Sequence, residues 1–180
     1  LVSTLLALPF LKPSKAQLTN ALGKWLRRAP RPMLASAVFF AIAYLINQSG
    51  KGLDWQLIDS GRNMVTILAN ASATAFGHFY PLVSPYLGLL AGFLSGSEAS
   101  AIAMLTRLHL STAMQIGAAG VLVAAASGIG GGLASVISPA KLQNAAAAIG
   151  RIGEEAGVLR VTVVISVLIT AVVAILCLAW

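Results

Sequence analysis

The residues best placed to do chemistry are few and sit close together in the chain. Glu98 is the only acidic residue between Asp59 and Glu154, and it lies within a small polar stretch, Ser95-Gly96-Ser97-Glu98-Ala99-Ser100. An ionisable side chain inside an otherwise apolar segment is a functional group by default, here one suited to take up and release a proton. The plainer reading is a glutamate at a helix tip that stays in water. Arg107 is able to grip a carboxylate through two parallel N–H donors, and equally able to neutralise Glu98 or to reach the membrane surface on its long stem. His78 and His109 are titratable, yet a single histidine in such a segment reads first as hydrogen-bonded structure. A second polar stretch, Ser127-Gly128-Ile129-Gly130-Gly131-Gly132, places four glycines within five residues. Serine hydroxyls and exposed backbone N–H groups bind small anions; the competing reading is serine bonding back to its own helix. Glu154 and Glu155 stand beside Arg151 and read as solvated. Cys177 is the only cysteine, so neither a disulfide nor a metal site is implied.

The elements that must carry these groups are membrane helices. Charged residues make up 9% of the chain against 58% hydrophobic, whereas an ordinary soluble domain carries roughly 25% charged residues to solvate its surface. No Asp, Glu, Lys or Arg occurs in 63–97, 108–140 or 161–180, and about 20 mainly apolar residues suffice to cross a bilayer. The net charge of +7 is concentrated: Lys12, Lys15, Lys24, Arg27, Arg28 and Arg31 are six of the twelve basic residues, with no acidic partner nearby. A basic loop between apolar segments follows the positive-inside pattern, which puts residues 12–31 in the cytoplasm. Nucleic acid is not expected as a partner, because the basic stretch lies between apolar segments and offers only Trp25 as a stacking platform.

Along the chain, residues 1–11 read as the tail of a helix already under way, and no signal peptide is recognisable. Pro32 is expected to open a span over 33–49, closed by Gly50. Residues 50–62 form an outer or interfacial loop with Trp55 at headgroup depth, and 63–79 form a weaker span. From Pro81 onward the segments shorten. Residues 82–94 would make about 20 Å of helix, short of a hydrocarbon core of about 30 Å. With the polar tip at 95–100 and a second short stretch at 101–113, they read as a re-entrant hairpin. A further helix starting at 116 is expected to break at 127–132, because half-helix ends facing a cavity build anion sites in transporters. Close helix packing through small residues is the alternative for these glycines. The last span is expected over 158–179.

Several of these segments together resemble the C-terminal region of the bacterial L-lactate permease family. The likeness is carried by Gly-Phe-Leu-Ser-Gly-Ser-Glu-Ala-Ser at 92–100, Gln115-Ile116-Gly117, Gly130-Gly131, Ile137-Ser138-Pro139, Gly150, Gly153, Glu155 and Arg160. It runs without a gap from about Phe79 to Ser166, with a weaker match back to Ser49-Gly50. This resemblance implies a multi-pass protein of the bacterial inner membrane that carries L-lactate, and often glycolate, together with a proton. It implies an all-α helical bundle with a re-entrant hairpin and broken helices, one half of an inverted-repeat transporter. Residues 1–180 would then be the C-terminal membrane region of a longer permease, with its N-terminal half missing here, 81–150 as the transport region, and a homo-oligomer compatible with the pattern. The candidate substrate contacts are Ser95, Gly96, Ser97, Ser100, Ser127, Gly128, Gly130, Gly131 and Ser138. Glu98 is the candidate proton carrier and Arg107 a candidate carboxylate partner, with no cofactor beyond the proton. The chain departs from the family pattern at Glu98 (usually Asp), Ile102 and Ser127 (usually Asn), Ser135 (usually Lys) and Arg107 (usually a small residue), and these departures bear on substrate identity.

Other classes fit less well. A channel-like or scaffold membrane subunit, with breaks that shape a pore and bind nothing, is the alternative to a carrier. An enzyme is not expected. Ser97, His109 and Glu98 would have to form a triad although Ser97 and Glu98 are adjacent, and no G-x-S-x-G elbow occurs. The glycine cluster lacks both the G-x-G-x-x-G spacing and a following Gly-Lys-Ser/Thr, so it is no nucleotide loop.

Overall fold

The structure, a computed structural model, describes residues 9–28, 30–54, 56, 59–151 and 153–180. The expectations for residues 1–8 and for Trp55 lie outside the described residues. The described chain is all-α and divides into two compact units, Leu1–Ala37 and Val38–Trp180.

In the first unit, the stretch expected to be a basic loop is largely helical: α1 spans Lys15–Arg28. A reciprocal cap explains its start. The Ser14 N–H donates to Gln17 Oε1 (2.8 Å) and the Gln17 N–H donates to Ser14 Oγ (3.3 Å), a capping box that satisfies donors otherwise orphaned at a helix end. The helix α2, Pro30–Gln48, starts in this unit and ends in the second; it begins two residues earlier than expected, with Pro30 rather than Pro32 at its opening position.

The second unit contains α3 (Met64–Phe76), α4 (Tyr80–Ser95), α5 (Glu98–Ile116), α6 (Gly120–Leu133), α7 (Pro139–Ile149) and α8 (Glu155–Ala179). Helices α4 and α6 form its centre, α5 packs on α6, α3 on α5, and α8 covers α4 and α6. Gly120–Ala146 and Glu155–Ala179 are long and apolar enough to cross a membrane. Asn63 caps α3, accepting the Thr66 N–H at 2.9 Å, while its amide donates to the Ser49 carbonyl at 2.6 Å and so ties α3 to the end of α2.

The hairpin expected around residues 95–100 is present as α4, a two-residue tip at Gly96-Ser97, and α5. Gly96 takes φ +65°, the left-handed geometry that ends a helix cheaply only with glycine. Ser97 then caps α5. The second arm is longer than expected, 19 residues against the 13 read as 101–113.

The glycine cluster does not break its helix. Residues 127–132 are continuous within α6, and the irregularity comes later, at a 3-10 turn over Ala134–Val136 before Pro139 starts α7. The reason is packing between backbones. A Cβ on Gly88 would collide with the Ser127 carbonyl, and one on Gly130 with the Pro85 carbonyl. One on Gly92 would come within 2.6 Å of the Gly131 carbonyl oxygen. The glycines therefore let α4 and α6 approach to backbone contact, as small-residue seams do in membranes, and the intact ladder keeps α6 free of unpaired carbonyls. Pro85 sits inside α4 and removes the N–H that would serve the Pro81 carbonyl. The Ser84 hydroxyl replaces it, lying 3.3 Å from the Pro81 carbonyl oxygen and 3.3 Å from that of Val123.

Candidate functional site

The polar residues of the second unit gather in two places. The first is the tip of the α4–α5 hairpin. Ser95 Oγ lies 2.7 Å from the Ala91 carbonyl oxygen and 2.9 Å from that of Ser97, and it accepts the Ser97 N–H at 3.2 Å. Ser97 Oγ accepts the Ser100 N–H at 3.3 Å, which fixes the first turn of α5. The start of α7 lies against this tip: a Cβ on Gly96 would sit 3.0 Å from Ser138 Oγ and 3.9 Å from Ala140 Cβ. Two helix N-termini, those of α5 and α7, thus converge beside Gly96. Each carries the positive end of its dipole, which favours an anion; α5 offers the N–H groups of Glu98 and Ala99, whereas α7 opens on Pro139 and donates its Lys141 N–H to the Ser138 carbonyl, so only that of Ala140 remains.

Two hydroxyls at this spot are buried without a partner. Ser100 and Ser138 are each 1% exposed, and neither Oγ makes a hydrogen bond among the described residues. Ser138 is the cap residue of α7 but does not use its side chain to cap it. A buried hydroxyl without a partner costs about 1–3 kcal/mol, so each marks a point where a polar ligand would be welcome, Ser138 against Gly96 and Ser100 in the first turn of α5. Glu98, in the first turn of α5, lies over α6: its carboxylate oxygens are 3.5 and 3.6 Å from where a Cβ on Gly132 would stand. The sequence-derived candidates Ser95, Gly96, Ser97, Glu98, Ser100 and Ser138 are therefore brought together.

The other candidates are placed elsewhere. Ser127 joins a second polar cluster deeper between α4, α5 and α6. There His109, 1% exposed, has Tyr80 Oη 2.8 Å from Nδ1 and Ser127 Oγ 2.8 Å from Nε2. Both neighbours are hydroxyls, able to donate or accept, so either tautomer of the ring is satisfied. Gly128 faces Ile102, Gly131 faces Ala101, and Gly130 is committed to Pro85. Arg107 does not pair with Glu98 among the described residues; its guanidinium donates to the Asn47 carbonyl at 3.3 Å, at the end of α2, where a cation suits the helix dipole. His78 is exposed in a 3-10 turn before α4, at the opposite end of that helix from the tip. Glu154 pairs with Arg151 at 3.1 Å on the surface, in keeping with a solvated reading.

Tyr80 and Ser84 are functional-looking residues that the sequence reading passes over. A signal for them exists: Tyr80, Ser84, Gly88 and Gly92 recur every fourth residue, a single face of α4 on which polar and small groups meet its neighbours. The pairing of Tyr80 with His109 and of Ser84 with the Val123 carbonyl depends on the register of three helices, which no single segment encodes.

The family model described as L-lactate permease matches residues 1–180. The L-lactate permease of Escherichia coli strain K12 is 31% identical over 176 residues, covering 98% of this chain and 29% of that protein. The glycolate permease of the same strain is 33% identical over 145 residues, covering 81% of this chain and 23% of its own length. The L-lactate permease of Bacillus subtilis strain 168 is 33% identical over 132 residues, 73% of this chain and 21% of the relative. The chain thus spans less than a third of these relatives. No solved structure matches.

Proposed function

This chain belongs to the L-lactate permease family, and from that premise we propose that it supplies part of the substrate site and the proton-coupling group of a secondary transporter for L-lactate, glycolate or a related 2-hydroxymonocarboxylate. The observation that carries the proposal is the convergence of two helix N-termini with the unpartnered hydroxyls of Ser100 and Ser138. A 2-hydroxymonocarboxylate needs N–H or O–H donors for its carboxylate and a donor–acceptor partner for its hydroxyl. The first turn of α5, with the Ala140 N–H of α7, offers the former, and the two serines offer the latter. The short α4 arm, 16 residues or about 24 Å, fits a hairpin that enters the membrane without crossing it, which would bring Gly96 to mid-membrane depth.

Glu98 gives the site its coupling. As a carboxylate in the first turn of α5 it competes with an anionic substrate for the same positive helix end. Once protonated it no longer repels the substrate, so proton and substrate favour each other's binding, and by linkage each strengthens the other to the same degree. Arg107, occupied at the end of α2, takes no part in this coupling. The remainder of the permease completes the carrier, a multi-pass protein of the bacterial inner membrane with residues 12–31 on the cytoplasmic side.

The test is a pair of substitutions in the full-length permease. Ser100→Ala and Ser138→Ala are expected to raise the KM for L-lactate several-fold each while expression and insertion stay normal. Ser135→Ala serves as the control, since Ser135 Oγ is held at 2.7 Å by Lys141 Nζ on the surface. Unchanged KM in both Ser100 and Ser138 variants would remove the hairpin tip as the substrate site.

A further inference from the structure

We propose that α1 is a peripheral helix that lies in the membrane interface and binds a surface of anionic phospholipid. Leu18, Leu22, Trp25 and Leu26 follow the spacing i, i+4, i+7, i+8, which lines them along one stripe of a helix. All four are exposed, by 46%, 56%, 51% and 57%. Lys24 and Arg27, with Gln17 and Asn20, occupy the opposite arc. A helix with one apolar stripe including Trp and a cationic opposite face has the build of one that sinks its stripe to the headgroup–acyl boundary and keeps its charges in the headgroups.

Two further observations choose the occupant. The charge is of one sign: six cations fall between Lys12 and Arg31, and no acidic residue precedes Asp54. Such a cluster repels itself unless an anionic surface meets it, and each Lys or Arg near anionic headgroups adds to the attraction. Position along the chain agrees. Only Ala29 separates α1 from α2, whose stretch 33–46 is free of charge, so an α2 seated in the bilayer would hold α1 at its surface. The capping box at Ser14 and Gln17 sets where the helix begins and hence which side chains share the stripe.

The experiment uses the full-length permease with its other cysteines replaced, carrying one spin label at a time at Leu18, Leu22, Asn20 or Lys24. The protein is placed in nanodiscs of phosphatidylcholine with or without phosphatidylglycerol. With phosphatidylglycerol, labels at 18 and 22 should collide several-fold more often with dissolved oxygen than with a water-soluble nickel chelate, and labels at 20 and 24 should show the reverse. In phosphatidylcholine alone this contrast should shrink several-fold. A second readout leaves α1 unlabelled: brominated phosphatidylglycerol should quench a share of the tryptophan fluorescence that is missing in Trp25→Phe. Labels at 18 and 22 shielded from both reagents would mean that another part of the permease covers the stripe, and would overturn the proposal. Free access of nickel to those two positions, or a pattern indifferent to phosphatidylglycerol, would overturn it equally.

Discussion

In the full-length permease, Glu98→Gln is expected to keep lactate exchange running and to abolish lactate accumulation driven by a pH gradient. Carrying one anion inward against a negative-inside potential of 100 mV costs about 2.3 kcal/mol, roughly 50-fold in the accumulation ratio at about 1.4 kcal/mol per factor of ten. Entry of a proton with the anion removes that cost, so a group must bind the proton when it binds the substrate. Glu98 is the one carboxylate at the hairpin tip among the described residues, in the first turn of α5 and against Gly132 of α6. Glutamine imitates its protonated form and keeps the site competent for the anion, but holds no proton to release. Glu98→Asp, which keeps a carboxylate at the same place, should retain coupling. A purely structural role at the helix end would instead change stability by about 0.3–1 kcal/mol and leave accumulation untouched. Counterflow exchange measured beside gradient-driven uptake separates the two. Accumulation by Glu98→Gln as steep as in the unmodified protein would transfer the coupling role to the rest of the permease.

The second large effect concerns the seam between α4 and α6. Gly130→Ala is expected to destabilise the permease by about 3 kcal/mol or more, because the added methyl meets the Pro85 carbonyl and two helix backbones must separate. Gly88→Ala should behave alike, since its methyl would meet the Ser127 carbonyl. Gly128→Ala is the internal contrast. Its Cβ would stand 3.6 Å from the end of the Ile102 side chain, an ordinary contact, and the gain in helix propensity of about 1 kcal/mol should make it neutral or stabilising. Thermal unfolding of the purified proteins in detergent reads all three. Equal melting of Gly130→Ala and Gly128→Ala would show that the seam is not the reason for the glycines. Transport should fail in the Gly130 variant together with folding, not through bulk that obstructs a substrate.

These results also mark what was legible in the residues. The last span follows from its charge-free run, while the span expected over 63–79 gives only a 13-residue helix; the hairpin tip follows from Gly96 between serines, because glycine in the left-handed region and a serine cap are local requirements. The gathering of Ser95, Ser97, Glu98 and Ser100 follows from their adjacency in sequence. The approach of Ser138 does not, since it depends on how α6 and α7 return to the tip. The stretch 127–132 is ambiguous for a physical reason: glycine loosens a helix in isolation and tightens one that packs against a backbone. Its first residue, Ser127, directs its hydroxyl to His109 rather than to the tip, a choice made by helix register. The helix α1 is hidden by its charge. Six cations draw attention to topology, while the spacing of Leu18, Leu22, Trp25 and Leu26 carries the helical period all along.

In the proposed carrier, proton and hydroxycarboxylate move together. The most direct test of this coupling is uptake of radiolabelled L-lactate by the full-length permease in proteoliposomes, with an inward proton gradient and with that gradient collapsed by a protonophore. Accumulation above the external concentration is expected only while the gradient stands, with lactate entry acidifying the lumen. Equal uptake in both conditions, levelling at the external concentration, would contradict it.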